Sequence, residues 1–113
     1  MIVKESSDVQ EMKVEEDQVS NVLRQILIGP EDGSNNIVMR RFKILPGGHT
    51  PHHQHPFEHV VLVESGRGWV LSPQGEKIDI RAGKCLFVPG GEKHQFQNPN
   101  EEPLQFLCII LNQ

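Results

Sequence analysis

Short apolar or alternating segments recur along the 113-residue chain, and turn-forming residues separate them. Alternation with a period of two is typical of half-buried strands, and no stretch shows the sustained period of about 3.6 residues of a capped helix. The candidate strands are residues 21–28, 36–45, 59–65, 68–72, 76–81, 84–89, 93–97 and 104–112. Many short strands at this spacing predict an all-β sandwich or barrel.

The segments between these strands carry turn chemistry. The chain has 10 glycines and 8 prolines, and they fall almost wholly between the candidate strands. Because Gly and Pro supply the backbone angles of tight turns, this distribution favours ordered turns over disorder. Residues 1–20 differ, since they are polar and acidic with scattered valines. We therefore predict an N-terminal arm over 1–20, partly ordered or at a dimer interface, before a single β-barrel domain over 21–113.

Composition excludes several classes of partner. The net charge is −4 and no run of Lys and Arg occurs, so a nucleic-acid partner is not expected. The longest strongly apolar run, residues 106–111, is far shorter than a membrane span, and the start lacks the pattern of a secretory signal. Cys85 and Cys108 sit in apolar segments, which favours buried free thiols in a cytoplasmic protein, with a disulfide left open.

The histidines are concentrated in one stretch, "GGHTPHHQHPFEH", which spans residues 47–59 and holds five of the six. Side chains at i and i+2 of a strand share a face, so His53 and His55 are predicted to point the same way. His59 keeps their odd parity, whereas His52 has the opposite parity. A lone histidine is usually an ordinary surface or core residue, but clustered histidines at fixed offsets are the usual signature of a metal site.

Two further histidines lie around this group. His94 follows a Pro-Gly-Gly turn and begins another candidate strand, so a hairpin-rich fold could bring it beside the cluster. His49 precedes Pro51 and is predicted to lie on the approach loop. The candidate metal ligands are therefore His53, His55, His59 and His94.

Two motifs in this region resemble those of the cupin superfamily. The first, G-x5-H-x-H-x3–4-E-x6-G, matches Gly47, His53, His55, His59 and Gly66, with His59 where the family usually has glutamate. The second, G-x5-P-x-G-x2-H-x3-N, matches Gly83, Pro89, Gly91, His94 and Asn98 without departure. The motifs span residues 47–98, and the similarity extends from about residue 22 onwards.

The resemblance implies a single-domain cupin jelly-roll, a double-stranded β-helix barrel with a metal inside it. It implies ligands at His53, His55 and His94, with His59 in the fourth position. The pattern "HxHPFEH" with a later "EKH" is similar to small bacterial cupins whose four-histidine sites hold manganese or another divalent metal. Those proteins are typically homodimers, so a homodimer is expected here.

A four-histidine site narrows the chemistry. Neutral imidazoles cancel none of the charge of a divalent ion, so the site would favour an anionic or chelating small-molecule substrate. Ligand type favours Fe, Zn, Ni or Cu, and Mn enters through the resemblance. The first hypothesis is a metal-dependent oxygenase or oxidoreductase of dioxygenase type. A non-redox isomerase, lyase or decarboxylase and a non-catalytic binding module are the alternatives.

The pocket wall is predicted from strand parity. The pocket-lining candidates are Phe106, Cys108, Val61, Phe42 and Arg40. Arg40 either faces inward and holds a carboxylate or is solvated at a strand edge. Glu58 is predicted to lie opposite His59, where it could partner the second N–H of a ligand, be solvated, or act as general base.

Overall fold

The computed structural model describes residues 1–112 and is almost entirely β-structure. Residue 113, the end of the predicted barrel domain, lies outside the described residues. The strands are β1 (Met12–Lys13), β2 (Ser20–Ile28), β3 (Ile37–His49), β4 (His59–Ser65), β5 (Arg67–Leu71), β6 (Lys77–Arg81), β7 (Cys85–Val88), β8 (Gln95–Gln97) and β9 (Leu104–Leu111). Single 3-10 turns occupy Ser6–Asp8 and Pro30–Asp32. Within residues 1–112 no helix is long and apolar enough to cross a membrane.

The strands form one antiparallel sheet that curls into a barrel. Its order is β6-β5-β8-β3-β9-β4-β7, and β2 pairs with β3 while β1 pairs with β2. Each of the eight predicted segments overlaps one of these strands, so the predicted all-β barrel is confirmed. The non-sequential neighbours place the middle of the chain, β3 and β4, on either side of the last strand, β9.

One strand runs further than the sequence suggested. β3 was predicted to end at residue 45, before the Pro-Gly-Gly segment, but it continues to His49. At Gly48 strand β2 passes so close that a Cβ would lie 2.6 Å from the backbone oxygen of Ser20. Glycine at this position therefore permits the close approach of two strands and does not form a turn.

The core is built from the inward faces of the central strands. In β9 the side chains alternate, so that Leu104, Phe106 and Cys108 are buried, as the parity argument predicted. Ile44 pairs with Leu104 and Phe42 with Phe106 across β3 and β9. Each fully buried aliphatic or aromatic side chain contributes roughly 1.5–3 kcal/mol to the free energy of unfolding. Phe42 and Phe106 of this packed layer also line the cavity that contains the histidines.

The N-terminal arm contributes to the barrel wall. β1 adds an edge to β2, and the Val14 N–H donates a hydrogen bond of 2.9 Å to the Val22 carbonyl. Val14 and Val19 pack against the core, which accounts for two of the four valines scattered through this polar segment. The amide of Gln25 donates to two arm carbonyls at 3.0 and 2.8 Å. A role for the arm at a dimer interface stays a prediction.

Both cysteines are free, and they differ in exposure. Cys108 is buried in β9, as predicted. Cys85 is exposed, so the prediction that both thiols are buried is wrong for this residue. In β7 the side chains alternate between faces, and Cys85 shares the outer face with Phe87 while Val88 points inward.

Candidate metal centre

Backbone pairing brings four histidines together from distant parts of the chain. His59 is the first residue of β4 and is 6% exposed. His53 and His94 form an isolated antiparallel bridge, in which each N–H donates to the other carbonyl at 3.1 and 3.0 Å. The His55 carbonyl accepts from the Gly91 N–H at 2.6 Å. These contacts tie the first histidine cluster to the turn that carries His94.

The His-Gln-His segment is not part of a strand, contrary to the parity argument. β3 ends at His49, β4 begins at His59, and the connection between them is irregular. His53 and His55 are directed by the bridge to His94 and by the close packing of the Pro-Gly-Gly turn. A Cβ at Gly90 would lie 2.6 Å from the Pro56 carbonyl oxygen, so the turn fits closely against this loop.

The four imidazole rings lie at one end of a cavity in the barrel. The ring centroids of His53 and His55 are 4.2 Å apart, and those of His55 and His59 are 5.1 Å apart. The His94 centroid lies 5.8, 6.1 and 5.2 Å from those of His53, His55 and His59. Since a histidine nitrogen binds zinc at about 2.0–2.1 Å, two ligands of one ion have centroids roughly 4.5–6.5 Å apart. Most of these separations fall in that range.

Two of the rings are oriented by contacts to their Nδ1 atoms. His94 Nδ1 donates to the Glu92 carbonyl at 2.9 Å, so its Nε2 carries a lone pair. His59 Nδ1 lies 3.4 Å from Cys108 Sγ. His59 Nε2 is buried and finds no hydrogen-bond partner anywhere in residues 1–112. A buried polar atom without a partner costs free energy. His52 Nε2 is also buried without a partner, but His59 lines the cavity and His52 is outside the set of described residues that do so.

The rings are not arranged to hold an ion as they stand. Among residues 1–112 no group of three or more His, Cys, Asp or Glu side chains is placed so that it could hold a metal ion. His55 Nε2 and His53 Nε2 are 3.0 Å apart and share a hydrogen bond, which needs a proton on one of them. That proton must move to the Nδ1 of its ring before both Nε2 atoms can bind a cation. The residue types suit a transition metal, but the ring positions in the described part of the chain do not form a metal-binding group.

Burial keeps three of the rings uncharged. Loss of solvent lowers the pKa of His59 to about 4, with further contributions from His94 and Arg40. Burial, followed by the charge of His94, lowers the pKa of His53. Burial, followed by the charge of His53, lowers the pKa of His55. Neutral imidazole is the form that binds metals, so these rings are in that form at neutral pH.

The cavity beside the histidines has a volume of about 170 Å³. An apolar protein cavity of about 150 Å³ can hold benzene, so this one admits a body of one-ring size. The predicted residues Phe42, Phe106, Cys108 and Arg40 line it. Val61 does not belong to this wall, because it lies two residues beyond His59 along β4 and is buried in the core at 1% exposure.

Arg40 faces inward, which resolves the two alternatives left by the sequence. Its Nη2 donates to Cys108 Sγ at 3.3 Å, and its guanidinium lies 4.9 Å from the Phe42 ring centroid. Its Nε is buried and has no hydrogen-bond partner in the described part of the chain. The alternative of a solvated arginine at a strand edge is therefore wrong.

Sequence reasoning missed the part of the cavity that the arm and β2 supply. Val14, Glu16, Val19 and Arg24 line it from this side. The scattered valines indicated that part of the arm is buried, but they did not predict that it pairs with β2. Glu58 is exposed and is outside the set of described residues that line the cavity.

A model of the Cupin_2 family, described as a cupin domain, matches residues 40–110. The structure of the polyketide cyclase RemF from Streptomyces resistomycificus matches 100% of the chain and 80% of that protein, with a TM-score of 0.95 and 29% identity.

Two curated proteins show similarity over shorter ranges. The 1-methylthio-D-xylulose 5-phosphate methylsulfurylase of Rhodospirillum rubrum is 33% identical over 91 residues, which cover 80% of the chain and 56% of that protein. The gentisate 1,2-dioxygenase of a Ralstonia species is 28% identical over 67 residues, which cover 59% of the chain and 19% of that protein. The chain thus spans little more than half the length of the first of these relatives.

Proposed function

Because the chain belongs to the Cupin_2 family of cupin domains, we propose that it is a metal-dependent enzyme acting on a small organic substrate inside the barrel. The proposed ligands of one divalent transition metal are His53, His55, His59 and His94. The observation that carries the proposal is His59 Nε2, which is buried beside two other imidazoles and finds no partner within residues 1–112.

The donor set limits the identity of the metal. Imidazole nitrogens suit Zn, Fe, Ni and Cu, and the similarity of the motifs to four-histidine cupins adds Mn. When bound, such an ion supplies Lewis acidity, and a redox-active ion also supplies electron transfer. The Glu92 carbonyl holds the His94 ring, and Cys108 contacts His59, so both ligands are oriented by a second contact.

The chain's own residues would bind the substrate and transfer its protons. The rings of Phe42, Phe96 and Phe106 stack on one another and limit the water around a bound substrate. Glu16 is the acidic side chain among the described residues of the cavity wall. We assign it the general acid–base role for which Glu58 was considered, because Glu16 lines the cavity and Glu58 is outside the set of described residues that do so.

We propose that the reaction is non-redox: the four histidines would hold an ion whose Lewis acidity would act on a carbonyl-containing substrate. This class includes the isomerase, lyase and decarboxylase alternatives and the cyclisation named for the polyketide cyclase. The similarity to that cyclase over 100% of the chain supports this choice. Oxygenase chemistry is the second candidate, supported by the shorter similarity to gentisate 1,2-dioxygenase.

Metal substitution and oxygen dependence separate the two reaction classes. Protein purified without a histidine tag would be stripped, reloaded with zinc, iron or manganese, and screened against β-diketones and aromatic polyketide analogues. The non-redox proposal expects turnover with redox-inert zinc and in the absence of dioxygen. Turnover that requires both iron or manganese and dioxygen would favour the oxygenase. Equal turnover by the metal-free protein would contradict both.

A homodimer is also proposed, through the outer face of β4, β7 and β9. Val60 pairs with Phe87 on one side and with Ile109 on the other. These three side chains are 53%, 59% and 41% exposed, so they form a continuous apolar row on the surface. Such a row is typical of a protein–protein contact. The free thiols are consistent with a cytoplasmic location, which we include in the proposal.

A further inference from the structure

We propose that Arg40 forms an anion-binding subsite in the cavity and that the substrate is a small organic carboxylate whose charged group pairs with this guanidinium. The subsite itself is independent of any metal. Its role in substrate choice rests on the proposed function, in which the histidine cluster binds another part of the same molecule.

Arg40 is half-buried, its Nε is fully buried, and no ion pair of the described residues includes its charge. An arginine stays protonated in proteins, and taking its charge away from water is costly unless an anion pairs with it. The ion pairs within residues 1–112 join Lys4 to Asp32, Arg41 to Glu64 and Lys43 to Glu11, and none includes Arg40.

The nearest contact of Arg40 does not supply the missing charge. The Cys108 Sγ atom that accepts from Nη2 at 3.3 Å belongs to a free thiol and not to a carboxylate. A thiol is also a weak acceptor. The Nε edge is left with no acceptor among the described residues, on the wall of a cavity large enough for a ligand.

The next residue in the same strand shows the contrast. Arg41 points to the opposite face of β3, and it meets Glu64 with two parallel hydrogen bonds. Its Nε donates to Oε1 at 2.8 Å and its Nη2 to Oε2 at 3.1 Å. Where an arginine stabilises the outer face, the fold supplies a carboxylate. Arg40 has the same planar guanidinium but no carboxylate partner among the described residues. A carboxylate of a ligand would supply the missing bidentate ion pair.

An anion bound to Arg40 would lie close to the histidines, because Arg40 and His59 contact the same sulfur atom. Cys108 Sγ lies 3.3 Å from Arg40 Nη2 and 3.4 Å from His59 Nδ1, so one sulfur atom connects the guanidinium and the ligand cluster. The stacked Phe42 and Phe106 rings form the adjacent wall, with centroids 5.5 Å apart. A carboxylate on Arg40 would therefore place an aromatic or apolar body of one-ring size against these rings and near the imidazoles.

The test measures binding of benzoate and of benzyl alcohol, which has a similar ring and no charge, by titration calorimetry. We expect Arg40→Gln to weaken benzoate binding roughly 10- to 100-fold, the size of a charge-assisted hydrogen bond, and to leave benzyl alcohol within about twofold. The matched control is Arg41→Gln, which removes the same charge from the outer face and should bind benzoate as the wild type does.

A second variant guards against misfolding. Arg40→Lys keeps the charge but loses the planar fork, and we expect benzoate binding to weaken by at least threefold with benzyl alcohol unchanged. Benzoate binding by Arg40→Gln within twofold of the wild type, or an equal loss for both probes, would overturn the subsite.

Running every titration on metal-free and zinc-loaded protein separates this inference from the proposed function. If zinc does not bind but benzoate binding to the metal-free protein depends on Arg40, the subsite stands and the metal proposal fails. If zinc binds through the histidines and benzoate binding is insensitive to Arg40, the subsite alone fails.

Discussion

Acidification of the metal-free protein should reveal the buried state of His59. The pKa of this ring is about 4 in the folded chain and 6.5 in the reference state. Because the folded-state pKa is depressed, the unfolded chain binds more protons between these values. The contribution to stability is therefore fully present above pH 6.5 and is lost as the pH falls towards 4. From the linkage relation the loss between neutral pH and about pH 4 is about 3 kcal/mol.

The assay is urea unfolding in the presence of a chelator, followed by the fluorescence of Trp69, the single tryptophan. Carboxylates that titrate in the same range, such as Glu64 with its pKa lowered by the Arg41 hydrogen bond, affect every variant alike. A His59→Gln variant supplies the matched control, because it removes the ring titration and keeps a polar side chain. The pH dependence of the wild type should exceed that of the variant by about 3 kcal/mol. Parallel curves for the two proteins would refute the reasoning.

Three further predictions concern other parts of the molecule. Once a substrate is known, Glu16→Gln should lower kcat roughly 10²-fold or more, while Glu58→Gln in the exposed loop should leave it unchanged; equal effects would contradict the assignment. Val60→Asp should convert the proposed dimer to a monomer in light scattering, and a variant that keeps a dimeric mass would rule out this face. Gly90→Ala should destabilise the fold by about 1–3 kcal/mol in urea unfolding, because its Cβ would lie 2.6 Å from the Pro56 oxygen, and an unchanged midpoint would show that the turn adjusts freely.

The strand pattern was predictable because alternation reflects burial on one face of a sheet. The alternating residues of β9 identified its inner face correctly. The same reasoning did not apply to His53 and His55, because they lie in an irregular loop. Their positions depend on a backbone bridge to His94, about 40 residues away, and no local periodicity encodes that pairing. The motif spacing identified the four histidines without describing how the backbone brings them together.

The cavity wall was only partly predictable for a related reason. The parity of β3 predicts that Phe42 and Arg40 share a face of the sheet. Whether they line the cavity depends on the pairing register between β3 and β9. Glu16 and Arg24 come from segments whose pairing is a long-range property of the barrel. A polar arm with four scattered valines gives little indication that part of it will line the cavity.

The most direct test of the central claim is the metal content of tag-free protein, measured by elemental analysis before and after reloading. We expect about one equivalent of a divalent transition metal per chain, with at least tenfold weaker binding after His59→Ala. The matched control is His52→Ala, which removes a neighbouring histidine outside the proposed ligand set and should keep full occupancy. Protein that binds no metal after reloading, or His59→Ala protein that binds it as tightly as the wild type, would contradict the four-histidine site.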